Sequence, residues 1–259
     1  MQIIVESVSK RFCDKRSGQD VLALDGISFV LQDREFVCLL GPSGCGKSTL
    51  LNIIAELEKP EQGKVRFVGI RKSSGPQTAI VWQEYALVPW RSIQDNVAFG
   101  LEIRGLSRAK RYEIADRWLE LLGISAFGKA YPYQLSGGMR QRVGIARAFA
   151  VDPEILLMDE PFAAVDAQTR LLLQEQLITL WERDAKTVAF VTHSIDEAIL
   201  LGDRIVVMSA RPGRIKEIVK VDLPRPRSLH VEGNPEFGRL KNYIWDLLRE
   251  DVMRAQGVS

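Results

Sequence analysis

Apolar positions along this 259-residue chain follow two periods, and the switches between them mark the elements. In the first third, short apolar runs are bounded by polar turns. "IIVESV", "ISFVLQ" and "EFVCLL" therefore predict strands, and "KVRFV" and "TAIVW" predict two more. Between them "KSTLLNIIAEL" takes helical spacing. From about Ser92 to Ala150 the pattern is helical throughout: "SIQDNVAFGLEI", "SRAKRYEIADRWLELLG" and "GGMRQRVGIARAFAV". After that the periods alternate, with strands at "EILLMD", "TVAFVTH" and "RIVVMS" and helices at "AQTRLLLQEQLITLWERD" and "SIDEAILLG". Alternating strands and helices imply right-handed βαβ units on a buried parallel sheet. The all-helical stretch then reads as a subdomain inserted into an α/β core. The tail "LPRPRSLHVEGNPEF" reads as a linker. Past it, Pro235 suits a first helical turn, and Phe237, Leu240, Ile244, Leu247 and Leu248 share one face of a short amphipathic helix.

Charge narrows the partners. Lys and Arg number 35 against 33 Asp and Glu, a net charge of +2. No basic face dominates, so no nucleic-acid partner is expected. The three cysteines, Cys13, Cys38 and Cys45, make no disulfide or zinc framework, which favours a reducing compartment. No segment has the apolar length of a signal peptide core or a membrane span. The chain is expected to be cytosolic, or peripheral to a membrane through a partner.

The chemistry starts at "GPSGCGKST", which matches G-x-x-x-x-G-K-[ST] from Gly41 to Ser48. Pro42, Ser43, Gly44, Cys45 and Gly46 complete the loop, and Thr49 follows it. Glycines let the backbone wrap phosphates closely, Lys47 neutralises β- and γ-phosphate oxygens, and Ser48 can hold Mg²⁺. Cys45, next to Lys47 but one, is expected to be a reactive thiol that Mg-ATP protects. "ILLMDE" ends a strand at Asp159 and Glu160. Asp159 would hold Mg²⁺ through water, and Glu160 would polarise an attacking water. These motifs define a P-loop NTPase. Gln83, at the end of "TAIVWQ", could ligate Mg²⁺ and contact that water, or be an ordinary polar residue. His193 ends "AFVTH" and could donate to a γ-phosphate, or be structural. Phe12 could stack on a base, or be a core aromatic. A second phosphate-shaped helix start lies at "YQLSGGMRQR", with Leu135, Ser136, Gly137, Gly138 and Met139 at its centre.

In order, Phe12, the P-loop, Gln83, "LSGGMRQR", "ILLMDE", Asp166 in "AAVDAQ" and His193 resemble the ATPase subunit of an ABC transporter, from Ile3 to about Ile218. Met139 stands where the family's signature motif usually has glutamine. The resemblance implies a P-loop NTPase (RecA-like) core with an antiparallel β subdomain and an inserted α-helical subdomain. The ABC ATPase domain would span 1–221, its helical subdomain about 92–150, with a linker and C-terminal helix at 222–259. It implies ATP and Mg²⁺ as ligands and head-to-tail pairing with a second ATPase subunit, read as an identical copy. In such a pair the signature motif of one copy closes over the γ-phosphate held by the other, and Asp166 crosses the dimer.

"YALVPWRSIQDNVAFGLEIRG" and "HSIDEAILLGDRIVVMSARPGRI" resemble the nitrate/sulfonate/taurine importer group. That implies two membrane permease subunits, a substrate-binding protein, and a peripheral place on the cytoplasmic face of the cell membrane. Leu87, Val88, Pro89 and Trp90 suit a groove for a short helix of the permease, or internal packing. Arg104, Arg108, Lys110 and Arg111 read as a solvated face. An exporter ATPase and a soluble ABC ATPase are the alternatives. Repair-type proteins of the family carry a long coiled coil that the roughly fifty residues between Gln83 and Ser136 cannot hold. A non-catalytic sensor would lack Glu160.

Overall fold

The computed structural model describes residues 1–13, 20–69 and 75–255. By contacts the chain divides into two compact units: Met1–Ile70 with Trp181–Ser259, and Arg71–Leu180. The second of these holds the strands at 78–81 and 155–159 and most of the helix at 167–184 together with the helices between them.

In the first unit, β1 (Gln2–Cys13) pairs antiparallel with β2 (Asp20–Leu31) and β4 (Gln62–Val68), giving a three-stranded sheet in the order β2-β1-β4. A second sheet places β3 (Phe36–Leu40) between β7 (Thr187–Thr192) and β8 (Arg204–Met208), all parallel. Every residue of β3 and β7 is buried, as a parallel sheet covered on both faces requires. Phe36 anchors this core, 5.7 Å from the rings of both Trp181 and Phe190. Emptying such a site by Phe→Ala costs about 3–5 kcal/mol. Beside β8 lies β9 (Ile215–Lys220), a strand the sequence reading did not anticipate. It runs antiparallel, so the sheet is not wholly parallel: the short loop after Met208 turns the chain straight back, and no helix can fit the connection.

Helices α1 (Lys47–Ile54), α6 (Ile195–Leu201) and α7 (Pro235–Ala255) complete this unit. On α7, Phe237, Leu240, Ile244 and Leu248 are buried, following the amphipathic stripe. The stretch read as a linker is tied down. The buried Arg227 guanidinium donates to the carbonyls of Ile199, Gly202, Val221 and Leu223. Burial, with Arg225 beside it, pushes its pKa down to about 10. A cation on the last carbonyls of α6 also complements the helix dipole.

In the second unit, β5 (Thr78–Val81) pairs parallel with β6 (Ile155–Asp159). Helices α2 (Ile93–Ile103), α3 (Arg108–Leu121) and α4 (Gly137–Ala150) pack on one another, and α5 (Ala167–Asp184) follows. Among the described residues, no helix is long and apolar enough to cross a membrane.

Candidate functional site

The first unit carries the loop Gly41–Gly46 between β3 and α1. Four other helices begin with a serine whose side chain accepts a backbone N–H: Ser92, Ser107, Ser136 and Ser194. Helix α1 does not. It begins at Gly46, left-handed at φ 97°, with no side-chain cap. A Cβ there would lie 2.7 Å from Leu24 Cδ2 and 2.9 Å from the Ala23 carbonyl, so only glycine fits. Lys47 is buried. Its ammonium turns back into the loop and donates to the carbonyls of Gly41 at 2.8 Å and Pro42 at 3.0 Å. Ser43, Gly44 and Ser48 are exposed, and Thr49 is half-buried.

Cys45 departs from expectation. The residue is 1% exposed, and its sulfur lies 3.9 Å from Lys47 Nζ and 2.9 Å from where a side chain on Gly41 would begin. The loop keeps this side chain inside, so rapid modification of the thiol is not expected.

Also in this unit, Phe12 is exposed near the end of β1, with Lys10 Nζ 5.2 Å from its ring centroid. It is therefore not a core aromatic. His193 follows β7 and is exposed. The turn around it is fixed from both sides. Thr192 Oγ1 accepts from the Ser194 N–H at 2.9 Å and donates to the buried Glu197, while Ser194 caps α6.

The second unit carries the acids. Asp159 ends β6 and is buried. Glu160 follows at φ 41°, a left-handed torsion uncommon for a residue with a side chain and disfavoured further by Pro161 after it. Such a torsion costs about 1–3 kcal/mol and persists where the surroundings fix it, often at working sites. The Glu160 carbonyl accepts from Ala163 N–H at 3.1 Å, and the buried Phe162 anchors the turn. The exposed Asp166 accepts from Thr169 N–H at 3.0 Å at the start of α5, and that bond holds its carboxyl below the usual range. Gln83 is exposed two residues past β5.

At the second helix start, Leu135 and Gly138 are buried and Ser136 is exposed. Ser136 Oγ accepts from Met139 N–H at 3.3 Å, which caps α4 and leaves the hydroxyl proton free to be donated elsewhere.

Sequence reasoning missed what holds the segment after Gln83. Tyr85 and Ala86 are both left-handed, at φ 58° and 46°. The guanidinium of Arg147, at the end of α4, donates to both of their carbonyls at 2.8 and 2.6 Å. Burial lowers the pKa of Arg147. The Tyr85 hydroxyl reaches the Ala164 carbonyl at 3.5 Å, and Arg140 lies 5.2 Å from its ring centroid. One tyrosine thus touches the signature helix and the turn after Glu160. Asn96, 0% exposed, accepts from Val88 N–H at 2.7 Å and donates to the carbonyls of Val88, Arg91 and Ser92. It freezes the segment that presents Trp90, which is 78% exposed. A buried polar residue between apolar helix positions was the one available signal. No sequence signal marks an arginine that serves distant carbonyls.

A parallel sheet ending in an uncapped phosphate loop, with acids after a second parallel pair and a serine-capped LSGG helix, defines an ATP-binding cassette. The chain belongs to the ABC transporter family, whose description matches residues 24–163, just over half its length. It is 50% identical over 256 residues to an uncharacterised ABC transporter ATP-binding protein of Methanocaldococcus jannaschii, covering 98% of this chain and 94% of that one. A taurine import ATP-binding protein of Rhizobium johnstonii is 45% identical over 254 residues, 94% of this chain and 96% of its own. Among solved structures, a dimeric post-hydrolysis state of an ATP-binding cassette bound to ADP and Pi superposes with a TM-score of 0.75 at 32% identity. That match covers 86% of this chain and all of the other.

Proposed function

We propose that this chain is the ATP-hydrolysing subunit of an ABC importer for a small anion or organosulfur compound of the nitrate, sulfonate or taurine kind. It pairs head to tail with a second copy on the cytoplasmic face of the membrane, held there by two permease subunits and supplied by a substrate-binding protein. The observation that carries the reading is Lys47 folded onto the carbonyls of Gly41 and Pro42 at the uncapped start of α1. Buried positive charge and an uncapped helix start fit a polyanion. The taurine import relative supports the cargo class.

The residues have the right chemistry for the remaining roles. Ser48, Gln83 and Asp159 offer oxygen donors, the set a hard cation takes, with Asp159 acting through water. Bound Mg²⁺ would supply charge neutralisation on the β- and γ-phosphate oxygens. Glu160 orients and polarises the attacking water, and His193 donates to the γ-phosphate. Phe12 stacks on the base. Gly41 to Thr49 wrap the phosphates through backbone N–H groups, with Ser43, Gly44 and Cys45 contributing main chain. Ser136, Gly137, Gly138 and Met139 act on the nucleotide held by the other copy, with Leu135 as their buried anchor, and Asp166 contacts that copy. Leu87 and Trp90 meet the permease.

Glu160→Gln should keep ATP binding and abolish turnover; ordinary ATPase activity in that variant would remove the assignment. The shared site is tested in the same background. Lys47→Ala and Ser136→Glu should each trap no ATP alone, whereas the mixed pair should trap one, because one of its two sites is assembled from intact halves. Absence of rescue on mixing would overturn head-to-tail pairing. Taurine-dependent ATPase activity of the purified complex, with its permease and binding protein, tests the cargo.

A further inference from the structure

The loop between β8 and β9, residues 209–214, has no role in the proposed reaction, yet it joins the phosphate loop to the C-terminal helix. It is closed on itself, with Ser209 N–H on the Arg214 carbonyl at 2.9 Å and Arg214 N–H on Ser209 Oγ at 3.0 Å. On one side Gly213 N–H donates to the Ala23 carbonyl at 2.9 Å, and the Gly213 carbonyl accepts from Asp25 N–H at 3.0 Å. A Cβ on Gly213 would stand 2.0 Å from the Cys45 carbonyl, so the two backbones touch with no room between them. Arg211 Nε donates to the Gly44 carbonyl at 3.3 Å. On the other side is Asp251 of α7, a buried carboxylate near the helix's carboxyl end, where the dipole disfavours a negative charge. Its oxygens accept from Ala210 N–H at 3.2 Å and Lys216 Nζ at 2.6 Å. Lys216 also donates to the Leu247 carbonyl at 2.6 Å. Beside these ties lies an open cleft of about 700 Å³, lined by Ser43, Gly44, Arg211, Lys216 and Asp251. On that face the tip of the phosphate loop rests on Arg211 rather than on packed side chains.

We infer that residues 209–214 form a strut, and that Asp251, acting through it, is a positioning residue for nucleotide binding. At its tip the phosphate loop turns on Gly44, whose left-handed torsion of 75° is cheap for a glycine to adopt or to leave. A strut that holds Gly44 and Cys45 in place removes ordering cost at the moment of binding. The inference rests on the proposed nucleotide role of Gly41–Thr49.

The test is ADP affinity of the whole chain by calorimetry, beside thermal unfolding. Asp251→Asn and Arg211→Ala should each weaken ADP binding about tenfold, the scale of losing one charge-assisted contact. Because both act on one strut, the double variant should be no weaker than the weaker single. At saturating ATP, kcat of each should stay within about twofold of the parent while KM rises. A lowered unfolding midpoint with unchanged ADP affinity, or additive effects in the double variant, would overturn the strut. Should Asp251→Asn not fold, Arg211→Ala decides alone, since its side chain is exposed. Lys47→Ala separates the two readings. If it keeps ADP affinity, the nucleotide site itself is wrong; if it loses affinity while Asp251→Asn keeps it, only the strut fails.

Discussion

Helix α1 of the first unit and helix α4 of the second both begin in glycine-rich, phosphate-shaped sequence, and they satisfy their first N–H groups differently. At α1 the cap position is Gly46, which supplies no side chain, and the charge is built in as Lys47. At α4 the cap is Ser136, whose oxygen is engaged with Met139 N–H. The first start lacks an internal cap and carries a buried cation, so it is suited to hold a polyanion by itself. The second is already capped and carries no buried lysine, so it has one hydroxyl proton and a helix dipole to add to an anion held elsewhere. That difference is what a site shared between two copies requires: a holder and a closer.

The sharpest way to break this comparison is at the lysine. Lys47→Ala should weaken ADP binding by about a hundredfold, because a buried charged donor contributes about 1.5–3 kcal/mol. Calorimetry reads it directly, and a loss under threefold would make α1 no better a holder than α4. Next comes the glycine. Gly46→Ser would offer α1 the cap that α4 has, but its Cβ meets Leu24 and the Ala23 carbonyl at a left-handed torsion. It should weaken ADP binding at least tenfold and lower the thermal midpoint, since strained torsions of this kind cost about 1–3 kcal/mol. A fully stable variant with normal affinity would show that capping and holding are compatible.

The serine should behave in the opposite way. Ser136→Ala removes a helix cap, costing about 1 kcal/mol of stability. It should leave ADP affinity of the single chain unchanged while reducing ATP-driven pairing in gel filtration. An ADP defect matching that of Lys47→Ala would erase the distinction between the two starts. The smallest effect expected is at Asp166, which caps α5. Its folded-state pKa lies below the ordinary 3.8, so its contribution is present above that value and is lost as pH falls through the folded one. Asp166→Ala should therefore lower the unfolding midpoint slightly at pH 7, and the gap to the parent should close in acid. A gap independent of pH would assign the effect to something other than the carboxylate.

Much of this was legible because short-range sequence controls it. Gly46 and Lys47 are adjacent in the chain and the loop they close is six residues long, so residue type nearly dictates backbone path. The serine starts of α2, α3, α4 and α6 and the stripe of α7 are likewise local. Glu160 could be named as an acid after a strand, but its left-handed torsion could not, because no glycine or asparagine announces it. Cys45 was expected to be a reactive thiol, and it is buried instead. Sequence gives neighbours along the chain, and the thiol's direction depends on how Gly41 and Met208 close beneath it.

By itself, then, the sequence determined the glycine-rich loop before α1, the serine-capped start of α4, the acids at the end of β6, and the alternation that makes a buried parallel sheet. Each rests on torsional preference or periodicity within about a dozen residues. Tertiary structure alone decided that Arg147 grips Tyr85 and Ala86, that Arg227 ties the segment before α7 to α6, and that Asp251 reaches the loop before β9. In these, a charged side chain pairs with backbone carbonyls or N–H groups 28 to 62 residues away. Every residue but proline carries both groups, so nothing in the partner's identity marks it in advance. Only the folded path of the chain selects which of them is met.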